Sequence, residues 1–241
     1  MRGAHPMTAL GLAALAACSF EPSGGSPGGA PGGGPDASSG AIGGERDAAG
    51  APGGDGAAAI AQVVTPFGEA TTVGDLGGAG GSSFTADCGA GHVVTGLDAE
   101  DNDFGLCRLR AVCSRILVQD GAIEVVDQAS TQAFGTEGSY YDIDPVNCPP
   151  GSALVAFEGS ESADGLVHHL RISCAAIAAD GASVSLGGAL EVPENLGSPS
   201  SGGSGAGSCP AGQLAAGIAG RAGTILDRFE LRCYQVALAP E

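Results

Sequence analysis

Cys88-GAGHVVTGLDAEDNDFGLCRLRAV-Cys113, Cys148-PPGSALVAFEGSESADGLVHHLRIS-Cys174 and Cys209-PAGQLAAGIAGRAGTILDRFELR-Cys233 are three copies of one pattern. The opening cysteines recur at intervals of 60 and 61 residues, the closing ones at 61 and 59. Three residues after each opening cysteine stands a glycine (Gly91, Gly151, Gly212), and nine after it an apolar residue (Leu97, Phe157, Ile218). At positions −4 and −2 from each closing cysteine the residues are Leu109 and Ala111, Leu170 and Ile172, Phe229 and Leu231. A period of two with one apolar face is the signature of a half-buried strand. Repetition at this period points to one supersecondary unit used three times.

From Ala58 onward, short runs of Val, Ile, Leu and Thr alternate with Gly, Pro and Asp-Gly turn signals, and no stretch sustains a helical period. Asp120-Gly121 and Asp180-Gly181 follow two of the closing cysteines as hairpin-turn dipeptides. The reading is an all-β domain over residues 58–241. Each repeat most simply closes on its own cysteines, as Cys88–Cys113, Cys148–Cys174 and Cys209–Cys233. Cys107 is left over, either as a thiol outside the bridges or as a rival to Cys113 for Cys88. It lies six residues before its closing cysteine, where the other repeats carry His168 and Asp227.

Upstream, the composition changes twice. Residues 18–57 are a Gly/Ser/Pro/Ala-rich tract with hardly a large apolar side chain, expected to be a disordered tether. Before it, Arg2 precedes the apolar run Thr8–Ala17, too short to span a bilayer core but suited to a signal segment over residues 1–17. The residues Leu15-Ala16-Ala17-Cys18 resemble the bacterial lipobox. That resemblance implies acylation of Cys18 and a lipid anchor in a membrane, with the outer membrane or cell surface as destination.

The formal charge of −18, with nine Lys and Arg in all, excludes phosphate-backbone binding as a function class, so no nucleic-acid partner is expected. The cysteine-rich composition fits an oxidising compartment. His168 and His169 are adjacent on an expected strand and point to opposite faces, which prevents joint chelation of a metal. The acids from Asp98 to Asp103 lack the spacing of a calcium loop and read as a solvated acidic loop. No metalloprotease, hydrolase or nucleotide-binding pattern occurs, so no catalytic residue, metal or cofactor is expected.

The pattern C-P-x-G, an apolar-Gly-apolar stretch, a loop, then L-x-h-x-C resembles vitelline membrane outer layer protein I. That resemblance implies a β-prism of three four-stranded sheets about a pseudo-threefold axis, with a chain terminus closing the last sheet. Gly77-Gly78-Ala79-Gly80-Gly81 and the Gly223 to Asp227 stretch are also similar to the glycine loop and Gly-x-x-x-Asp element of jacalin-type lectins. By that likeness Gly77, Gly78, Gly80, Gly81, Gly223 and Asp227 would bind neutral glycan, although Ile225 and Leu226 stand where such lectins often offer an aromatic residue. The same residues also serve as ordinary turn and strand-end chemistry. The expected function is a non-catalytic, carbohydrate-binding surface lipoprotein. The alternative is a structural or protein-interaction module without a small-molecule site.

Overall fold

The structure, a computed structural model, describes residues 60–136, 141–181 and 183–241, all in the unit Ala58–Glu241. The signal segment, Cys18 and the tether lie outside the described residues. The strands run in order β1 (Gln62–Gly77), β2 (Ser82–Asp87), β3 (His92–Asn102), β4 (Gly105–Gln119), β5 (Ala122–Ser130), β6 (Phe134–Gly135) and β7 (Tyr141–Asp142). They continue as β8 (Val146–Asn147), β9 (Ser152–Glu161), β10 (Val167–Asp180), β11 (Ser183–Gly197), β12 (Gly203–Ser208), β13 (Gln213–Ala222) and β14 (Leu226–Pro240). Among the described residues every regular element is a strand.

Strand pairing resolves into three four-stranded antiparallel groups. Sheet I is built on the hairpin β3–β4, with β5 and β6 against β4 and with β7 and β8 against β3. Sheet II has the order β11-β10-β9-β12. Sheet III has β1-β14-β13-β2. In sheets I and II the chain makes a hairpin, adds the third strand beside the second, then crosses to lay the fourth beside the first, which is a Greek key. In sheet III the hairpin β13–β14 receives its third and fourth strands from β1 and β2 at the start of the domain. Sheets I and III also touch directly where Gln62 and Val63 of β1 pair with Val118 and Leu117 of β4. The domain is a three-sheet β-prism, closed by its own N-terminal strands.

The cysteines pair as the repeat pattern implies, with S–S bonds at Cys88–Cys113, Cys148–Cys174 and Cys209–Cys233. Each bridge does more than close a loop. The N–H of the opening cysteine donates to a carbonyl of the preceding sheet: Cys88 to Ala216, Cys148 to Thr95 and Cys209 to Val155, each at 2.8 Å. Its sulfur meanwhile bonds to the second hairpin strand of the next sheet. A tight turn follows at once, closed by His92 to Gly89, Ser152 to Pro149 and Gln213 to Pro210. The glycine three residues after each cysteine takes φ of 69°, 74° or 77° there, a left-handed conformation that other residues adopt at a cost.

The inner faces of the sheets meet in a core around Phe157 and Phe229, whose rings pack edge to face with centroids 4.7 Å apart. Leu76, Leu97, Leu109, Leu154, Leu170 and Ile218 are fully buried around them. At about 1.5–3 kcal/mol for each such side chain removed from water, this cluster is the main source of stability. A second cluster, including Val64, Val93, Ile116, Ile177 and Leu214, lies under the prolongations of β4–β5, β10–β11 and β14–β1. The first of these two-stranded ribbons turns at Asp120 (φ 52°) and Gly121 (φ 77°), the type I′ pattern expected of Asp-Gly. The second turns one residue later than the sequence implies, because Asp180 still pairs with Ser183. In the third ribbon there is no turn at this place: Glu241 donates its N–H to the Ala61 carbonyl at 3.1 Å.

Candidate functional site

At the other end of β1 the strand stops at Gly77, whose φ of 104° turns the chain into the glycine loop. A Cβ here would collide with the carbonyl oxygen of Asp227. The same relation recurs around the pseudo-threefold axis. Gly135 (φ 92°) lies against the Cys107 carbonyl and Gly197 (φ 73°) against the His168 carbonyl. The three positions six residues before the closing cysteines are therefore equivalent in space as well as in sequence, and one of them carries a carboxylate.

All six residues named from the sequence converge here. The N–H of Gly78 donates to the Asp227 carbonyl (2.7 Å) and to the Gly165 carbonyl (2.8 Å) at the tip of the β9–β10 hairpin. Gly80 and Gly81 lie directly on the Asp227 carboxyl group. A Cβ on Gly80 would overlap Oδ1 and stand 2.9 Å from Cγ, and one on Gly81 would overlap Oδ2. A Cβ on Gly223 would stand 3.7 Å from Oδ2. The glycines are required because only bare backbone fits this close to the carboxylate.

The carboxyl group of Asp227 is half-buried and accepts no hydrogen bond or ion pair from the described residues. Arg221 fixes the loop from outside: its Nε donates to the Gly80 carbonyl at 2.6 Å and its Nη2 to the Gly81 carbonyl at 2.7 Å. Arg221 stands two residues before Gly223, but the sequence gives no sign of this role, since its partners are backbone atoms 140 or more positions away. Gly165 was equally hidden, for the same reason. Of the two residues just before Asp227, Leu226 is fully buried in the core and Ile225 is half-buried.

The equivalent place in sheet II is a cleft of about 730 Å³ lined by Asp101, Asp103, His168, Ser198, Ser200 and Ser201, among others. Burial pushes the Asp101 carboxyl above the usual carboxylate range. In sheet I the equivalent residue, Cys107, is buried outside the disulfides, with its thiol 3.6 Å from the Glu100 carbonyl. His168 and His169 face opposite ways: His168 lines that cleft, while His169 is 7% exposed and its imidazole is held below its ordinary pKa by burial.

The acidic run is only partly a loop. Asp98 and Glu100 lie in β3 and are matched across the hairpin to Arg110 and Arg108. Arg110 Nε donates to Asp98 at 2.6 Å and Arg108 to Glu100 at 2.6 Å, beside a cleft of about 340 Å³. Two carboxylates engaged this way are poorly placed for acid–base work on a glycosidic bond.

No protein-family model matches the chain, and no curated protein matches it. Among solved structures it is similar to Malaysian banana lectin, at 20% identity over 71% of this chain and 99% of that one, with a TM-score of 0.40. It is also similar to Calystegia sepium agglutinin (14% identity, 70% and 99%, TM-score 0.44). Artocarpin, described as a lectin with mannose specificity, gives 16% identity, 69% and 99%, and a TM-score of 0.44. Likenesses of this depth carry no functional argument, and the prism rests on the strand order itself.

Proposed function

We propose that residues 58–241 form a non-catalytic binding module for neutral carbohydrate, with Asp227 and the Gly77–Gly81 loop as its site. The observation that carries this reading is a half-exposed carboxylate without a partner among the described residues, closely approached by the bare backbone of Gly80 and Gly81. Two carboxylate oxygens accept well from a pair of neighbouring sugar hydroxyls, and such charge-assisted bonds are about twice as strong as neutral ones. Glycine backbone N–H groups can supply the complementary donors at close range. The overall charge of −18 works against anionic polymers and leaves neutral glycans as the matching class.

Three disulfides support a location of the domain outside the reducing cytoplasm. Among the described residues no helix is long and apolar enough to cross a membrane. The lipobox-like Leu15–Cys18 supports attachment through an acylated Cys18, with the module displayed at the bacterial surface. Radiolabelled palmitate incorporated by the native chain and absent from Cys18→Ala would support the anchor.

The site is tested by screening the domain 58–241 on a glycan array beside Asp227→Ala. Binding of neutral glycans that the substitution abolishes is the expected result. Binding that survives it moves the site elsewhere, and no binding at all favours a structural or protein-interaction module.

A further inference from the structure

The tip of the β3–β4 hairpin is wedged against the other two hairpins. Gly105 takes φ of 135°, and a Cβ there would stand 2.8 Å from the Val167 carbonyl oxygen, 3.4 Å from His168 Cδ2 and 3.4 Å from Ile225 Cγ2. Val167 and His168 open β10, and Ile225 lies within the Gly223–Asp227 stretch that carries the site's carboxylate. Only bare backbone at Gly105 allows this approach. On the other side of the tip the Phe104 N–H donates to Asn102 Oδ1 at 2.9 Å, which closes an Asx turn. The backbone of Phe104 is thus pinned from both sides, yet its side chain is 68% exposed. Of the large apolar side chains exposed among the described residues, Phe104 is the one carried on a hairpin tip. An apolar ring left in water forgoes the stabilisation of burial, and a ligand that covers it recovers that stabilisation. Because the tip is already fixed, covering the ring orders little that was free before.

We infer that Phe104 is the second contact of the Asp227 site, its ring packing on the C–H face of one sugar residue while Asp227 holds the hydroxyls of another. This inference rests on the binding reading above and narrows its partner. Ile225 is two positions from Asp227, about 7 Å of strand, and Phe104 adjoins the Gly105 that approaches Ile225. Ring and carboxylate are therefore roughly 10–15 Å apart. A single pyranose ring does not reach that far, so the two contacts fall on different residues of one chain. The partner is a neutral oligosaccharide of several residues rather than a monosaccharide. Asp227 fixes which hydroxyls are held, and the aromatic ring adds affinity that depends on chain length. The contact joins two repeats: the carboxylate comes from the third cysteine-bounded unit and the ring from the first.

The test titrates the full chain with the mono- to hexasaccharides of the mannan, xylan and β-1,4-glucan series. Since the chain has no tryptophan, Phe104→Trp places a single emitter at the tip. A blue shift of its emission with the longer members of a binding series, and none with the monosaccharide, is expected. Binding seen by calorimetry with the emission unmoved overturns the inference. Phe104→Ala should weaken binding of the longer members roughly tenfold and leave the monosaccharide unaffected, with Phe104→Tyr restoring affinity. An Ala variant that binds every length as the native chain does overturns it as well. Adding Asp227→Ala to the Phe104→Trp chain should abolish the emission response; a response that persists assigns the ring to a ligand elsewhere and overturns the shared site. Loss of binding in Asp227→Ala alone, with every Phe104 variant indifferent, refutes this inference and leaves the binding reading standing. No binding of any series by the native chain counts against the site and takes the inference with it.

Discussion

A single added methyl group at Gly80 separates the binding reading from a merely structural one. The Gly80 backbone does not occupy the left-handed region, so alanine fits it without backbone strain, and the conflict lies with the Asp227 carboxyl group alone. The new Cβ would stand 2.9 Å from Cγ, whereas carbon atoms in contact settle at about 3.5–4.0 Å. The carboxylate must therefore retreat by roughly 1 Å, enough to break a short O–H···O⁻ bond. A hydrogen bond to a charged group contributes about 1.5–3 kcal/mol, so losing one weakens binding by roughly 10- to 150-fold. Folding should hardly change, because the displaced group has no partner among the described residues to lose; a shift within about 1 kcal/mol is expected. The assay is isothermal titration of Gly80→Ala with the strongest neutral glycan from the array, alongside thermal unfolding. Gly188→Ala is the control, since a Cβ there meets nothing within 4 Å. Native-like affinity in a folded Gly80→Ala protein would refute the reasoning, because the ligand could not then depend on where that carboxylate sits.

Other consequences follow from the same geometry. Arg221→Ala removes both donors that hold the Gly80 and Gly81 carbonyls. It should weaken glycan binding several-fold while lowering Tm by only a few degrees; a Tm loss with binding intact would make Arg221 purely structural. Replacing Cys148 and Cys174 together by alanine opens a loop with a sequence separation of 26. In the chain-entropy account that costs about 3.5 kcal/mol, read from denaturant unfolding; a loss under 1 kcal/mol would show the bridge to be redundant with its surrounding packing. His169 is held neutral by burial, so below its ordinary pKa of about 6.5 the unfolded chain binds a proton that the folded one excludes. Its contribution is fully present above that pH and is lost as pH falls from about 6.5 toward the lowered value. Urea titrations at pH 7.5 and 5.5 should show a drop that His169→Gln reduces; an identical drop in both proteins would assign acid sensitivity elsewhere.

The hairpin strands were legible because their inner positions carry large apolar residues, as with Phe229 and Leu231 before Cys233. The outer strands were not. β12 reads Gly-Ser-Gly-Ala-Gly-Ser, with no apolar alternation to mark it. Its inner positions are empty because the space is filled from the opposite side: a Cβ on Gly205 would stand 3.0–3.2 Å from Leu76, and one on Gly207 2.6 Å from a ring carbon of Phe157. A core that matches large residues to glycine hides half of each pair from a reading based on hydrophobic pattern. The partner of each outer strand was equally hidden, since nothing local in residues 82–87 says that they pair with 217–222. The glycine loop and Asp227 could be named in advance because the chemistry is local to two short motifs. Their meeting, and the Arg221 clamp that holds it, depends on the closure of sheet III.

That closure bears on how the chain reaches its folded state. Gln62 must wait for Pro240, and β2 must wait for β13. Sheets I and II can assemble as their segments become available, but apart from the Gln62–Val63 contact with β4 the first strands of the domain have no final strand partner until nearly the last residues arrive. Pairings of such long sequence separation are slow to form. A nascent domain would hold β1 and β2 open in the meantime, with apolar residues such as Leu76 uncovered. A chain threaded through a membrane unfolded, with its head emerging first, would thus remain incomplete throughout transit and lock only when its tail is released. Mutations near residues 226–240 should accordingly lengthen the time for which the early strands remain vulnerable to proteases.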